Sequence, residues 1–207
     1  MKTATLVTAF VLLANAAQAA DNDASKPLAI GAPVPAATAK LKNPADGKTL
    51  TLTDTKGTKG QLVVFTCNNC PWAKAWEQRI VEMANGYAKK GIGVVLVNSN
   101  DPTIAEKDTP ELIKARHQER AMAVPYVIDE NQVLARAFGA SVTPEAFLFD
   151  KAGKLVYHGT IDDNGKQPEQ VTKRYLKDAL EAVSNGKAVP VGETKGIGCG
   201  IKFKKVS

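Results

Sequence analysis

Two short apolar runs, with a long helical stripe between them, are the clearest pattern in the sequence. Residues 61–66 and 93–98 are almost continuously apolar, which is typical of strands buried on both faces of a sheet. Between them, large apolar residues recur at helical spacing until Gly91, namely Trp72, Trp76, Ile80, Met83, Ala84 and Tyr87. The pattern predicts a strand, a helix and a second strand that together form a βαβ unit.

The sequence on either side of this unit adds a hairpin, an insertion and a terminal helix. Asp46-Gly47, followed by alternation over residues 49–53, predicts a hairpin and a half-buried strand. Residues 101–123 form an insertion whose helix begins at Thr109-Pro110. The other predicted elements are a strand at 124–129, a short helix at 131–138, antiparallel strands at 146–149 and 155–157, and a helix ending at Asn185-Gly186. This order of elements predicts an α/β fold.

The first 19 residues have the composition of a secretory signal peptide. Lys2 gives a positive start, residues 4–14 are an apolar run, and Ala17-Gln18-Ala19 provides the small residues that a signal peptidase requires. A retained anchor is the alternative, but an apolar run this short does not span a bilayer as a stable helix. We therefore expect a periplasmic or secreted protein without a stable membrane anchor. Its parts are a signal peptide at 1–19, a lead-in at 20–29, one domain at 30–186 and a tail at 187–207.

Composition narrows the class of protein but says little about its partners. The 207 residues are 44% hydrophobic and 23% charged, which is close to an average globular domain and excludes a disordered chain. The formal net charge of +6 is spread along the chain, and its densest group is Lys202, Lys204 and Lys205. Because no arginine-rich helix accompanies these lysines, we do not expect nucleic-acid binding.

Three cysteines carry the candidate chemistry: Cys67, Cys70 and Cys199. Cys67 and Cys70 lie where a buried strand is predicted to give way to a helix, and export would allow disulfides to persist. Partial positive charge at a helix N-terminus stabilises a thiolate, which is the nucleophile in disulfide exchange. We therefore predict that Cys67 is the attacking thiol, with a lowered pKa, and that Cys70 resolves the mixed disulfide.

The cysteine motif and the order of elements resemble the thioredoxin superfamily. The segment Phe65 to Pro71, Phe-Thr-Cys-Asn-Asn-Cys-Pro, is similar to the redoxin branch, and in particular to its peroxiredoxin-like, AhpC/TSA-type members. The resemblance implies a thioredoxin-like fold, a central mixed sheet flanked by helices, with an N-terminal hairpin and a helical insertion. It also implies that Thr143 and Pro144 form a cis-proline loop that faces the cysteines and docks substrate backbone.

From this resemblance we expect an exported thiol-disulfide oxidoreductase. Its partners would be protein or small-molecule thiols and disulfides and a redox partner protein, and it would use a Cys67–Cys70 redox disulfide with no other cofactor. A thiol peroxidase-like antioxidant protein is an alternative. However, the Thr and Pro that precede a peroxidatic cysteine by three and seven residues are replaced before Cys70 by Cys67 and Val63.

Two further alternatives concern the cysteine pair itself. An inert structural disulfide would stabilise little, because the loop that it closes is so short. A copper-binding chaperone would use Cys67 and Cys70 as soft ligands, with His117, His158 or Cys199 in addition. Neither histidine lies at ligand spacing, so we predict no resident metal site.

Two residues are possible auxiliaries. Glu145 follows Pro144 and would serve as a proton acceptor, although we expect a surface carboxylate first. Cys199 lies between Gly198 and Gly200, in a tail expected to be irregular. It is either an exposed thiol or a relay that exchanges disulfides with Cys67 and Cys70. We also expect Trp72 and Trp76 to pack in the core, with shaping of a substrate groove as the alternative.

Overall fold

A seven-stranded mixed sheet forms the centre of the molecule. The computed structural model describes residues 26–205, so the predicted signal peptide and most of the lead-in lie outside the described residues. The sheet has the order β2-β1-β5-β4-β3-β7-β8. Its strands are β1 (Leu41–Lys42), β2 (Thr49–Leu50), β3 (Gly60–Phe65), β4 (Ile92–Asn98), β5 (Tyr126–Ile128), β7 (Glu145–Asp150) and β8 (Leu155–Gly159). A two-stranded sheet is formed by β6 (Val142–Thr143) and β9 (Cys199–Gly200). The predicted α/β architecture with a mixed sheet is confirmed.

Helices cover both faces of this sheet. They are α1 (Pro71–Ala88), α2 (Pro110–Glu119), α3 (Val133–Phe138) and α4 (Tyr175–Ser184), together with a single 3-10 turn at Pro168–Gln170. One core lies between the sheet and α1 and α4, and a second lies between the sheet and α3. Across the part of the chain that the structure describes, each helix is too short or too polar to cross a membrane.

Strand β3 is apolar along its length because it contributes to both cores. Leu62 and Val64 pack on the side of α1, whereas Val63 and Phe65 pack on the side of α3. The strand is parallel to β4 on one edge, as its connection through α1 requires, and antiparallel to β7 on the other. The last pair of the antiparallel ladder is Phe65 and Glu145. The chain therefore leaves β3 directly beside the segment that precedes β7.

Two segments differ from their predicted structures. The strand expected over residues 49–53 ends at Leu50, because Asp54 accepts hydrogen bonds from both the backbone amide and the hydroxyl of Thr51 and folds that segment into a turn. The tail was expected to be irregular, yet Cys199–Gly200 is a strand antiparallel to β6. Ile201, which follows it, is buried in the core beside α3. The tail is held by these contacts, which lie far from it in sequence.

A cluster of aromatic rings gives a direct test of this second core. The ring centroid of Phe138 lies 5.4 Å from that of Phe65 and 5.2 Å from that of Phe147. Replacing Phe138 with Ala is expected to lower the free energy of unfolding by about 3–5 kcal/mol, since it removes a fully buried ring. Val133→Ala, on the same helix at a side chain that is 47% exposed, should change it by less than about 0.5 kcal/mol. Urea denaturation of both variants measures the difference, and equal losses would contradict this packing.

Candidate redox site

Cys70, rather than Cys67, lies at the N-terminus of α1. The chain leaves β3 at Phe65 and passes through Cys67 before the helix begins at Pro71, a residue that suits a first helical position. Cys70 is the N-cap residue, with extended backbone angles, and no side chain caps the helix there. The positive end of the helix dipole therefore lies beside Cys70, while the backbone amides of Asn69 and Cys70 donate hydrogen bonds to the sulfur of Cys67.

The disulfide of this structure joins Cys70 to Cys199. The two Cα atoms are 5.9 Å apart, although 129 positions separate the residues in sequence. Cys67 is a buried free thiol. The structure thus differs from the predicted Cys67–Cys70 disulfide, and it brings all three cysteines into one apolar cluster with Ala73 and Trp72. A relay through Cys199 requires its sulfur to approach that of Cys67 or Cys70, and the bond to Cys70 meets this requirement.

Thr143 contacts both Cys67 and Cys70. Its Oγ1 lies 3.1 Å from the sulfur of Cys67, and its carbonyl oxygen lies 3.1 Å from the sulfur of Cys70. The Thr143-Pro144 peptide bond is cis, as the resemblance implied. The predicted loop therefore faces the cysteines, and the binding of substrate by Thr143 and Pro144 stays a prediction.

Burial, not the helix, dominates the acidity of Cys67. Removal from water raises the pKa of the Cys67 thiol, and the negative charge of Asp108 raises it further. Hydrogen bonds from Thr143 and from backbone amides act in the opposite direction. The expectation of a lowered pKa for Cys67 is wrong for this state of the protein, because burial and the charge of Asp108 outweigh these hydrogen bonds.

A buried polar network links the cysteine loop to the insertion. The backbone amide of Asn68 donates to Asp108 at 2.7 Å, and the side-chain amide of Asn100 donates to the other carboxylate oxygen at 2.8 Å. The hydroxyl of Tyr126 donates to the side chain of Asn68 at 3.1 Å. Its pKa is raised well above the usual range by burial and by the charge of Asp108. We did not identify these residues from sequence, although the Asn-rich cysteine loop and the polar residues after β4 were a signal.

Glu145 is not the surface carboxylate that we expected first. It is only 2% exposed, and its carboxylate lies 2.7 Å from the Nε2 of His158. The other carboxylate oxygen accepts hydrogen bonds from the backbone amides of Ser141, at 2.9 Å, and Val142, at 3.3 Å. Glu145 therefore fixes the backbone that leads into the cis peptide.

The histidines and tryptophans have other partners. His117 lies on α2, and its Nε2 is 3.1 Å from the carbonyl oxygen of Val124. No group of three or more His, Cys, Asp or Glu side chains that could hold a metal ion occurs between residues 26 and 205. Trp76 is buried in the core, as predicted, and its indole nitrogen donates to Asp162 at 2.7 Å. Trp72 stacks on Trp76 and is partly exposed.

The sulfurs lie at the base of a small cleft. Its volume is about 230 Å³, and its lining includes all three cysteines, Asp108 and Thr143. Ile104, from the insertion, also lines the cleft and is 52% exposed. The cleft thus combines exchangeable sulfur, one carboxylate and a backbone edge, which is an arrangement suited to disulfide exchange.

Comparison with known proteins decides the family. The model of the AhpC/TSA family matches residues 30–158, which is more than half of the chain. The chain belongs to this family. Among solved structures, a thioredoxin-like protein in its oxidised form superimposes with a TM-score of 0.61 at 21% identity, covering 77% of this chain and 99% of that one. This likeness confirms the predicted thioredoxin-like fold.

Two further relatives cover most of the domain. The thiol-disulfide oxidoreductase ResA of Bacillus thuringiensis (strain Al Hakam) is 28% identical over 135 residues, which are 64% of this chain and 69% of that protein. An uncharacterized conserved protein from Geobacillus kaustophilus is 35% identical, with a TM-score of 0.80, over 86% of this chain and 94% of that one. The predicted class, a thioredoxin-like oxidoreductase, is confirmed by the family and by these similarities.

The charge of Asp108 gives a test of the site's electrostatics. Replacing Asp108 with Asn removes a negative charge that disfavours the Cys67 thiolate, so the pKa of Cys67 should fall. At a fixed pH below that pKa, the thiolate fraction rises, and alkylation of Cys67 by iodoacetamide should become several-fold faster. The measurement uses a chain with Cys70 and Cys199 changed to Ser, so that Cys67 is the reacting thiol.

Glu106→Gln is the matched control for this experiment. Glu106 is an exposed carboxylate on the same insertion, and its neutralisation should leave the rate close to that of the parent. If both substitutions accelerate alkylation equally, the effect arises from the net charge of the protein and not from the charge of Asp108 near Cys67.

Proposed function

We propose that this protein is an exported oxidoreductase that exchanges disulfides with protein or small-molecule thiols through Cys67 and Cys70. The observation that carries the proposal is that Thr143 contacts both sulfurs while Cys70 already holds a disulfide. A thiol, a disulfide and a backbone docking segment thus share one cleft. Export rests on the signal-peptide pattern of residues 1–19 and on the persistence of disulfides outside the cytosol.

The geometry supports Cys70 as the attacking cysteine and Cys67 as the resolving one, which is the reverse of the roles predicted from the sequence. Cys70 caps α1, where the positive end of the helix dipole favours a thiolate, so we assign Cys70 as the sulfur that attacks and leaves readily. Cys67 is buried and its pKa is raised, so it stays protonated until a mixed disulfide forms beside it. Cys67 then loses its proton and attacks the sulfur of Cys70, the bond between Cys70 and the substrate breaks, and the departing substrate thiolate takes up the proton.

Thr143 and Pro144 would hold the substrate during this step. The 141–143 backbone is fixed by Glu145, which accepts two of its amide hydrogen bonds. An extended substrate segment that lies along this backbone brings its own sulfur to Cys70, because the Thr143 carbonyl lies against that residue.

Two serine variants test the roles. Cys70→Ser is expected to reduce the rate of insulin reduction by dithiothreitol more than about 100-fold, since it removes the attacking thiolate. Cys67→Ser should also lose turnover. With Cys199 changed to Ser as well, so that the tail thiol cannot take the place of the resolving thiol, the protein should accumulate a mixed disulfide with substrate at Cys70. Mass spectrometry of the trapped adduct identifies the cysteine that carries it.

The two variants serve as controls for each other, because each removes one thiol from the same cleft. With Cys199 changed to Ser in both proteins, an adduct trapped at Cys67 in the Cys70→Ser protein, with none at Cys70 in the Cys67→Ser protein, would reverse the assigned roles. Turnover at the wild-type rate in both variants would overturn the oxidoreductase proposal itself.

A further inference from the structure

The edge on which substrate would dock is already occupied by the protein's own tail. Strand β9 pairs antiparallel with β6, with Cys199 opposite Thr143 and Gly200 opposite Val142. The pairing continues through the amide of Ile201, which donates to the carbonyl of Ser141 at 2.9 Å. The tail therefore lies on this backbone as an added strand would.

Gly198 allows the tail to come this close. A Cβ atom at this position would lie 2.3 Å from the carbonyl oxygen of Thr143 and 2.6 Å from its carbonyl carbon. Real Cβ contacts do not reach such distances, so any other residue would push the tail off the edge. Gly200, two residues later in the tail, has no such restriction, because a Cβ there would lie 3.9 Å from the nearest oxygen.

Hydrogen bonds on both sides of Cys199 keep the tail on this path. Before it, the amide of Thr194 donates to the carbonyl of His158 at 2.9 Å. After it, the carbonyl of Lys202 accepts from the amide of Asp101 at 2.8 Å and from the side chain of Gln132 at 2.9 Å. The segment is seated along its length, and the disulfide is one of several attachments.

The three sulfurs differ in their access to solvent. The residues Cys67 and Cys70 are 7% and 5% exposed, whereas Cys199 is only half-buried. A thiol from outside therefore meets the sulfur of Cys199 first. Attack on Cys199 also expels the better leaving group, because the departing Cys70 thiolate lies at the N-terminus of α1.

We propose that residues 198–201 are a built-in substrate of the Cys67–Cys70 pair, and that Cys199 is a third redox cysteine through which an external dithiol reduces the protein. The inference rests on the proposed function and extends it, because it names the class of reductant and its point of entry. Substrate and tail then use the same backbone edge in turn.

The steps balance in sulfur, protons and electrons. After a substrate disulfide has been reduced, the protein holds Cys67–Cys70, and the thiolate of Cys199 attacks the sulfur of Cys70. A Cys70–Cys199 bond forms, the Cys67–Cys70 bond breaks, and the proton returns to Cys67, with no net oxidation. This product is the state seen in the structure.

Reduction completes the cycle. One thiolate of the external dithiol attacks Cys199 and releases the Cys70 thiolate, and the second thiol of the dithiol then displaces Cys199. The dithiol leaves as a disulfide after giving up two electrons and two protons, and Cys70 and Cys199 are both left reduced. Because the bond to Cys70 is broken, only non-covalent contacts hold the tail on β6, and a substrate can compete with the tail for that edge.

The test compares Gly198→Ala with Gly200→Ala. After oxidation with one equivalent of cystine, peptide mapping should find Cys70–Cys199 as the main linkage in the wild-type protein and in Gly200→Ala. In Gly198→Ala the tail cannot seat, so Cys67–Cys70 should replace it, with a shift of at least about tenfold in the ratio of the two linkages. An unchanged ratio in Gly198→Ala would overturn the proposal.

Cys199→Ala supplies a second measurement that does not depend on the glycine. This variant should still oxidise to Cys67–Cys70 with a single equivalent of cystine. Its steady-state turnover with dithiothreitol should fall several-fold, because the reductant must then attack a buried disulfide. Turnover equal to that of the wild-type protein would overturn the role of Cys199 and leave the proposed function standing. Failure of the wild-type protein to react with cystine would instead defeat the proposed function.

Discussion

The site depends on one constraint, which is that strand β3 is buried on both faces and paired on both edges. The strand has no freedom to shift, because a shift by one residue would exchange the side chains that face α1 with those that face α3. Its carboxyl end therefore delivers Cys67 and Cys70 to a fixed place beside β6 and the start of β7. Precise contacts of 3.1 Å between Thr143 and two sulfurs are possible because the supporting backbone is held this firmly.

The parts of the fold that follow from local pattern were predictable, and the site was predictable in outline. Strands β3 and β4 and helix α1 appear in the sequence as two apolar runs and one helical stripe, and the cysteines lie where the pattern changes. Pro71 was also a visible signal of the first helical position. Placing Cys67 rather than Cys70 at the mouth of the helix was an error in the use of that signal.

The remaining features depend on contacts between residues far apart in sequence, which no local pattern records. Strand β9 is two residues long and pairs with residues 56 and 58 positions earlier, so it has no periodicity of its own. The burial of Glu145 follows from its contact with His158, across the β7–β8 hairpin. Without that partner, a glutamate in this position would be expected at the surface. Asp108 is similar, since its contact with the cysteine loop depends on how the insertion folds back.

The long span of the Cys70–Cys199 link ties redox state to resistance against unfolding. The bond closes a loop of about 130 residues that contains helices α1 to α4, and in the chain-entropy account a loop of that size restricts the unfolded chain by about 4.7 kcal/mol or slightly more. A Cys67–Cys70 bond encloses only Asn68 and Asn69 and restricts the unfolded chain far less. Moving the disulfide from one partner to the other therefore changes how long the whole molecule survives heat or proteases, and a reducing environment makes the protein easier to degrade.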